Sequence, residues 1–190
     1  MMNVTKTPLP GVLLIAPVVF RDERGWFTEL YRAERYREAG ITDAFVQDNV
    51  SQSARGVIRG LHLQEPNAQA KLVSVVQGEV FDVAVDLRVG SASFGRWSGA
   101  LLSAANHHQL LIPEGFAHGF AVLSESAIVH YKCTAAYDAE SELTVRWDDP
   151  DIAIDWPVRD PILSSKDSAG LRLRDIDPAR LPRALAPVNS

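Results

Sequence analysis

The chain has 190 residues and a formal net charge of −5, from 19 Lys and Arg against 24 Asp and Glu. This length fits one domain that buries about 70% of its unfolded surface, and the acidic balance argues against electrostatic binding to nucleic acid. Because Cys133 is the only cysteine, no intrachain disulfide is possible, and we expect a cytoplasmic protein without a signal peptide or membrane span.

The first part of the chain alternates short strand-like segments with turns. Val12–Ile15 is a candidate strand, Asp22–Gly25 has the composition of a turn, and Trp26–Tyr31 is again rich in residues typical of strands. Ala33–Ala39 is the one clear short helix, and Gly40 is expected to end it.

The middle of the chain contains the clearest hairpin, in which Gly78 joins two strands. Further strands complete the pattern. The strands predicted from here onward are Lys71–Gln77, Glu79–Leu87, Leu110–Ile112, Gly119–Leu123, Ala127–Thr134 and Leu143–Trp147. No helical period between them exceeds about three turns, which excludes a βαβ architecture. Regularly spaced strands favour an all-β sandwich or jelly roll with a few short helices.

The end of the chain differs in composition from the rest. After Asp167 the sequence becomes rich in Arg, Asp and Pro, which is typical of a segment that lies on the surface or frays. We therefore expect a single domain over 1–190, with its core in about 11–167 and a C-terminal tail in 168–190.

Several polar side chains fall within apolar strand-like sequence, notably His62, Lys71 and His118. In an extended strand His62 points away from its neighbours Leu61 and Leu63. Unpaired polar groups inside a β-barrel are costly, so the set suggests a polar ligand pocket within an all-β shell.

Each of these residues also has a purely structural interpretation. Either histidine could be a hydrogen-bonded core residue, Lys71 a solvated lysine on an edge strand, and Asp167 part of a surface turn. Strand alternation requires that one of Tyr131 and Lys132 faces inward, but it does not decide which.

Two histidines on a β-barrel also raise the possibility of a metal site. Jelly-roll metalloproteins usually carry His-x-His, but Gln64 stands at the second position and Glu65 follows in a turn with Pro66. The usual ligand sets therefore cannot be completed at this spacing. Because the Pro113-x-Gly115-x-x-His118 element of that superfamily is present, we predict a cupin-type jelly roll with acid–base chemistry and no metal.

Several segments follow one another as they do in a known enzyme family. They are Phe20–Glu29, Gln47–Ser51, Gly56–His62, Lys71–Val73, Gly78–Val83, Ile112–Phe120, Tyr131–Thr134 and Ser164–Asp167. Through them the chain resembles the dTDP-4-dehydrorhamnose 3,5-epimerase family of nucleotide-sugar epimerases. The resemblance implies a homodimeric, cofactor-free enzyme that acts on a thymidine-diphosphate 4-keto-6-deoxyhexose during rhamnose synthesis.

The implied reaction explains the catalytic residues. Inverting a carbon beside the C4 ketone requires a base, an acid on the opposite ring face and a partner for the enolate oxygen. By resemblance His62 is the base, Tyr131 the acid and Lys71 the cation at that oxygen. Asp167 corresponds to the carboxylate that orients the imidazole.

The resemblance also implies a substrate-binding set. Positive charge near the diphosphate would come from Arg24, Arg59, Lys166 and His118. Phe27 and Tyr137 would flank the thymine, and the remaining members are Glu29, Gln47, Asn49 and Glu142. Whether the N-terminal members act in their own subunit or in its partner is left open.

Two departures from the family's usual sequence bear on specificity, and two other functions are alternatives. Leu63 and Ala136 stand where the family often has aromatic residues, and relatives on this fold invert C3, C5 or both. The alternatives are a metal-dependent cupin isomerase or dioxygenase, and a sugar-nucleotide-binding relative without activity.

Overall fold

The computed structural model describes residues 2–184. Its strands are β1 (Asn3–Lys6), β2 (Leu13–Ala16), β3 (Val19–Asp22), β4 (Gly25–Thr28), β5 (Gln47–Ala54), β6 (Ile58–Gln64), β7 (Lys71–Gln77), β8 (Glu79–Asp86), β9 (Trp97–Ser103), β10 (Gln109–Ile112), β11 (Phe116–Val122), β12 (Ser126–Cys133) and β13 (Glu142–Thr144). Two short helices, α1 (Ala33–Glu38) and α2 (Ser165–Ser168), and two 3-10 turns, Leu173–Asp175 and Pro178–Arg180, complete the described elements.

Two antiparallel sheets form the body of the protein. One has the strand order β1-β2-β10-β7-β12-β5, the other β13-β6-β11-β8-β9, and β3 and β4 form a separate hairpin. Apolar side chains from facing strands of the two sheets, including Val73, Val129, Val80 and Phe120, pack in one buried cluster between them. The predicted all-β jelly roll with a few short helices is confirmed.

Most predicted elements are present close to their expected bounds. The hairpin of β7 and β8 and helix α1 agree to within one residue, whereas β13 is shorter than the predicted strand Leu143–Trp147. Strands β1, β3, β5 and β9 were not predicted, and β11 begins three residues earlier than expected, at Phe116. No helix in the described part of the chain is long and apolar enough to cross a membrane.

The C-terminal segment covers the outer face of the five-stranded sheet. Leu173, Ile176 and Leu181 are buried there against apolar residues of β6, β8 and β11. The segment therefore lies along the surface as one interpretation predicted, but over 168–184 it also contributes to the core. Residues 185–190 of the predicted tail lie outside the described residues.

Strands β6 and β11 approach each other closely where two glycines meet. Gly60 has a φ of +121°, and a Cβ on it would lie 2.5 Å from the Cα of Gly119. Any larger residue at this position would force the strands apart. The contact lies beside the register pair that joins His62 to His118, so it brings these two side chains to adjacent positions.

A buried carboxylate stabilises the turn that follows β8. Asp86 is fully buried and accepts hydrogen bonds from the Arg88 guanidinium and from the hydroxyls of Ser91 and Ser93. Burial alone would raise the pKa of Asp86, but these donors outweigh it and lower the pKa to about 2. A carboxyl with a lowered pKa in the folded state stabilises the fold at neutral pH.

We therefore expect Asp86→Asn to lower the free energy of unfolding by about 2 kcal/mol at neutral pH. The stabilisation by the charged form is complete above the ordinary pKa of 3.8 and is lost as the pH falls through about 2. Urea unfolding at a series of pH values should show the difference from wild type shrinking over this range. Asp160→Asn, at an exposed position, is the control, and a difference that does not change with pH would contradict the assignment.

Candidate active site

A cavity of about 400 Å³ opens between the two sheets. It is lined by residues of β5, β7 and β12 from one sheet and of β6 and β11 from the other. The predicted site residues that line it are His62, Lys71, Tyr131, Gln47, Asn49, Arg59, His118, Tyr137, Glu142 and Lys166. The structure therefore brings most of the predicted set to one place.

His62 is held by a buried carboxylate behind it. Its Nε2 lies 2.5 Å from Oδ1 of Asp167, and the hydroxyl of Ser164 donates to Oδ2 of the same carboxylate at 2.8 Å. Burial by itself would raise the pKa of Asp167, but the hydrogen bonds from His62 and Ser164 outweigh it and lower the pKa. The interpretation of Asp167 as part of a surface turn is wrong, since the residue is buried. Because one ring nitrogen is engaged, the imidazole can exchange a proton with a ligand only through the other.

Lys71 presents an ammonium group to the cavity from the interior of a sheet. Its strand β7 lies between β10 and β12, and the residue is only 6% exposed, so the edge-strand interpretation is wrong. Burial lowers the pKa of Lys71. Within the described residues no side chain forms a hydrogen bond or ion pair with its ammonium, which is thus available to a ligand.

Tyr131 and Lys132 project to opposite faces of β12. Tyr131 lines the cavity, whereas Lys132 forms an ion pair of 2.6 Å with Asp48 outside it. This decides the alternative that strand alternation left open. Burial raises the pKa of Tyr131, so the phenol retains its proton at neutral pH and can act as an acid.

A second imidazole–carboxylate pair lies beside the first. His118 Nε2 is 2.9 Å from Oδ2 of Asp82, and both residues are buried. The other oxygen of Asp82 has no hydrogen-bond partner among residues 2–184. Sequence reasoning missed Asp82, although a carboxylate that alternates with apolar residues in a buried strand is the signal that could have revealed it.

Polar residues at the mouth of the cavity are linked to one another. The Lys166 ammonium lies 2.8 Å from Oε1 of Glu142, and the Tyr137 hydroxyl donates to Oε2 of Glu142 at 3.1 Å. The backbone N–H of Tyr137 donates to the side chain of Gln47 at 2.8 Å. Arg59 donates to the hydroxyl of Ser53. These contacts order a ring of charged and aromatic groups before any ligand is present.

Sequence reasoning also missed Gln64, whose side chain connects two loops at the site. Its amide donates to the carbonyl oxygen of Asn67 at 2.8 Å and accepts from the backbone N–H of Asp138 at 3.0 Å. It thereby joins the loop after β6 to the loop that carries Tyr137.

Among the described residues, no group of three or more His, Cys, Asp and Glu side chains is arranged to hold a metal ion.

Three predicted site residues lie outside the cavity of their own chain. Arg24, whose side chain is 84% exposed, pairs with Asp22 in the turn between β3 and β4. Phe27 is 67% exposed on the same hairpin, and Glu29 pairs with Arg35. Within one subunit the structure does not bring these residues to the others.

Comparison with known proteins agrees with the geometry. The profile of the family described as dTDP-4-dehydrorhamnose 3,5-epimerase matches residues 6–175. The chain belongs to this family. The epimerase shares 51% identity over 173 residues with a dTDP-4-dehydrorhamnose 3,5-epimerase of Methanothermobacter thermautotrophicus, covering 90% of this chain and 94% of that relative.

Two other relatives extend the comparison. An enzyme of the same description from Neisseria gonorrhoeae is 55% identical over 170 residues, which are 89% of this epimerase but 52% of the Neisseria protein. The chain thus spans about half the length of that relative. The crystal structure of a dTDP-6-deoxy-D-glucose-3,5-epimerase from Legionella pneumophila, in complex with dTDP-4-keto-L-rhamnose, superimposes with a TM-score of 0.95 at 52% identity. The superposition covers 98% of this chain and 100% of the Legionella chain. These relatives do not favour the metal-dependent and non-catalytic alternatives.

The buried charge of Lys71 should lower the free energy of unfolding of this epimerase. Because burial lowers its pKa, the folded state is destabilised at every pH where this lysine is charged, and Lys71→Met removes that effect. We expect the free energy of unfolding at neutral pH to rise by about 0.5–2 kcal/mol.

Urea unfolding at a fixed protein concentration would measure this change. Lys6→Met, which removes an exposed lysine, is the matched control and should change stability by less than about 0.5 kcal/mol. A Lys71→Met protein less stable than wild type would show that the ammonium is stabilised in the folded state.

Proposed function

We propose that this epimerase inverts C3, C5 or both carbons of a dTDP-4-keto-6-deoxyhexose by proton removal and return through an enolate, in the synthesis of dTDP-L-rhamnose or a related deoxysugar. One observation carries the proposal. An imidazole held by a buried carboxylate, a protonated phenol and a buried ammonium that has no side-chain partner among residues 2–184 line one cavity. These are the groups that epimerisation beside a ketone needs.

His62 begins the reaction by taking the proton from the carbon next to the C4 ketone. The electron pair of the broken C–H bond forms the enolate, and negative charge develops on the C4 oxygen. The Asp167 carboxylate stabilises the imidazolium that results and keeps the ring oriented. Lys71 stabilises the enolate oxygen, and this interaction is strongest in the transition state and intermediate.

Tyr131 completes the inversion by returning a proton to the opposite face of the ring. Its raised pKa suits a donor that must be protonated before the step, and the enolate is basic enough to accept the proton. The tyrosinate and the imidazolium then exchange protons with solvent, which restores the starting state. The mechanism assigns no step to a cofactor.

The mouth of the cavity would bind the nucleotide half of the substrate. Arg59 and Lys166 would supply positive charge for the diphosphate. His118, which also lines the cavity, would contact the substrate. Tyr137 would stack on the thymine, while Gln47, Asn49 and Glu142 would contact the sugar or the base. The Legionella relative was crystallised with dTDP-4-keto-L-rhamnose, a ligand that has all three of these parts.

We propose further that the enzyme is a homodimer of single-domain subunits in the cytoplasm. The β3–β4 hairpin presents Arg24 and Phe27 to solvent, away from the cavity of its own chain. In a dimer with two-fold symmetry each hairpin can reach the other subunit's cavity. There it would add a guanidinium and an aromatic ring to the nucleotide site, and Glu29 would follow at its base.

Tyr131→Phe should separate proton removal from inversion. Because the hydroxyl is the only atom removed, His62 should still exchange substrate protons for deuterium in deuterated water. Formation of the inverted sugar should fall by about 10²–10⁴-fold. Proton NMR of dTDP-4-keto-6-deoxyglucose with the enzyme measures both rates and shows which carbon exchanges.

His62→Ala is the matched control, and it should abolish exchange at both carbons. Equal loss of exchange and inversion in Tyr131→Phe would contradict separate roles for acid and base. Normal inversion in Tyr131→Phe would assign the proton donor to another residue.

Mixed dimers test whether Arg24 acts in the partner's site. In a heterodimer of His62→Ala and Arg24→Ala subunits, one of the two sites has both residues if Arg24 comes from the partner. Assayed at a substrate concentration far below KM, where loss of a binding residue lowers the rate most, co-expression should therefore recover about a quarter of the wild-type activity per subunit, because about half of randomly paired dimers are mixed.

The control pairs His62→Ala with Tyr131→Phe, two residues of the same subunit's cavity. No site in that heterodimer is intact, so activity should not recover. If Arg24 acts in its own subunit, the first pairing would fail as completely as the control.

A further inference from the structure

The β3–β4 hairpin is nearly separate from the rest of the fold. Its two strands pair with each other over Val19–Asp22 and Gly25–Thr28. In the part of the chain that the structure describes, no backbone ladder joins them to either large sheet. Its orientation must therefore depend on side-chain contacts.

One residue of the protein body provides such contacts. The ring of His107 lies 4.4 Å from the ring of Trp26 on β4, with the two planes tilted by 59°. Arg21 on β3 lies with its Nη2 3.4 Å from Nε2 of His107. A single imidazole thus contacts both strands of the hairpin, one by a tilted ring–ring contact and one by a hydrogen bond.

The loop around His107 is ordered by its own hydrogen bonds. The side-chain oxygen of Asn106 accepts from the backbone N–H groups of Ser103 and His108. The N–H of His107 donates to the carbonyl oxygen of Ser103 at 2.9 Å. His107 has a φ of +57°, in the left-handed region, and the residue is only 7% exposed. These bonds fix the loop backbone, and the buried imidazole that the loop carries lies against the hairpin.

We propose that His107 is a positioning residue, which holds the β3–β4 hairpin so that Arg24 and Phe27 are oriented for the nucleotide of the substrate. This inference rests on the proposed role of the hairpin in the partner's site. His107 itself lies outside the cavity and touches no reacting group. It acts through Trp26 and Arg21.

The contact with Arg21 requires a neutral imidazole. A guanidinium can only donate hydrogen bonds, so Nε2 of His107 must be unprotonated to accept one. The charged and titratable groups that act on the ring are Arg21 from β3 and His108 from its own loop. Burial, followed by these two groups, lowers the pKa of His107.

The lowered pKa of His107 sets the direction in which pH changes the docking of the hairpin. A histidine whose pKa is lowered in the docked state favours docking above the ordinary pKa of 6.5, and docking weakens as the pH falls below it. KM for the nucleotide sugar should therefore rise as the solution is acidified through this range.

His107→Asn is the most informative variant, because asparagine tolerates the left-handed backbone but lacks the ring that packs against Trp26. We expect KM to rise about tenfold, the combined effect of one ring–ring contact and one hydrogen bond. Turnover at saturating substrate should stay within about twofold, since the chemical groups are untouched. The matched control is His108→Asn, in the same loop, which should leave KM and turnover unchanged.

Two further measurements separate positioning from general damage. First, the KM of His107→Asn should lose the rise at acidic pH that wild type shows. Second, limited trypsin digestion should cut after Arg21 and Arg24 faster in His107→Asn than in wild type or His108→Asn. Thermal unfolding should show that the body of the variant remains folded.

The outcomes distinguish this inference from the function on which it rests. If Arg24→Ala raises KM but His107→Asn changes neither KM nor trypsin cleavage, the positioning role of His107 is wrong. If His107→Asn frees the hairpin for trypsin but neither variant changes KM, the hairpin does not serve the nucleotide site. That result would overturn both the role of Arg24 and the functional part of the inference. If both single variants raise KM, the double variant should raise it by less than the product of the two effects, because both act through one hairpin.

Discussion

The structure depends on how it pairs the charged side chains that folding removes from water. Four carboxylates, Asp82, Asp86, Asp149 and Asp167, are buried in or beside an apolar β-shell. Asp149 accepts hydrogen bonds from backbone N–H groups, and the other three accept one from a side chain that can carry positive charge, His118, Arg88 or His62. Lys71 is the exception, because its ammonium is buried without such a partner in the described chain. A buried ammonium in this position is complementary to a ligand that develops negative charge beside it, and an enolate does so only during the reaction.

Local patterns in the sequence predicted the fold well where local rules apply. The hairpin around Gly78 and the helix before Gly40 are specified by turn residues and by periodicity within a few positions. These patterns did not predict β1, β3, β5 or β9, nor the early start of β11 at Phe116. Packing against neighbouring strands, rather than local propensity, forms these segments. The tail was harder still, because Leu173, Ile176 and Leu181 are widely spaced among charged residues and become core only when they reach the outer face of a distant sheet.

The candidate site was likewise predicted only in part from the sequence. Residue types and the family resemblance predicted which side chains would gather in the cavity. Strand alternation alone could not decide whether Tyr131 or Lys132 faces inward, and local composition could not decide whether Asp167 is buried, since both depend on contacts between segments far apart in the chain. Asp82 and Gln64 were missed for a related reason. Each contacts other protein groups rather than standing out in a motif, and their partners, His118 and Asp138, lie 36 and 74 residues away.

The position of Asp167 in the chain determines when the active centre can form. The protein is synthesised from its N-terminus, and every strand of both sheets precedes this carboxylate. The sheets can therefore assemble on the ribosome while His62 still lacks its partner. The imidazole is paired only when α2 and the segment that covers the outer face of the five-stranded sheet have docked. The base is thus completed later in folding than the two sheets that carry it.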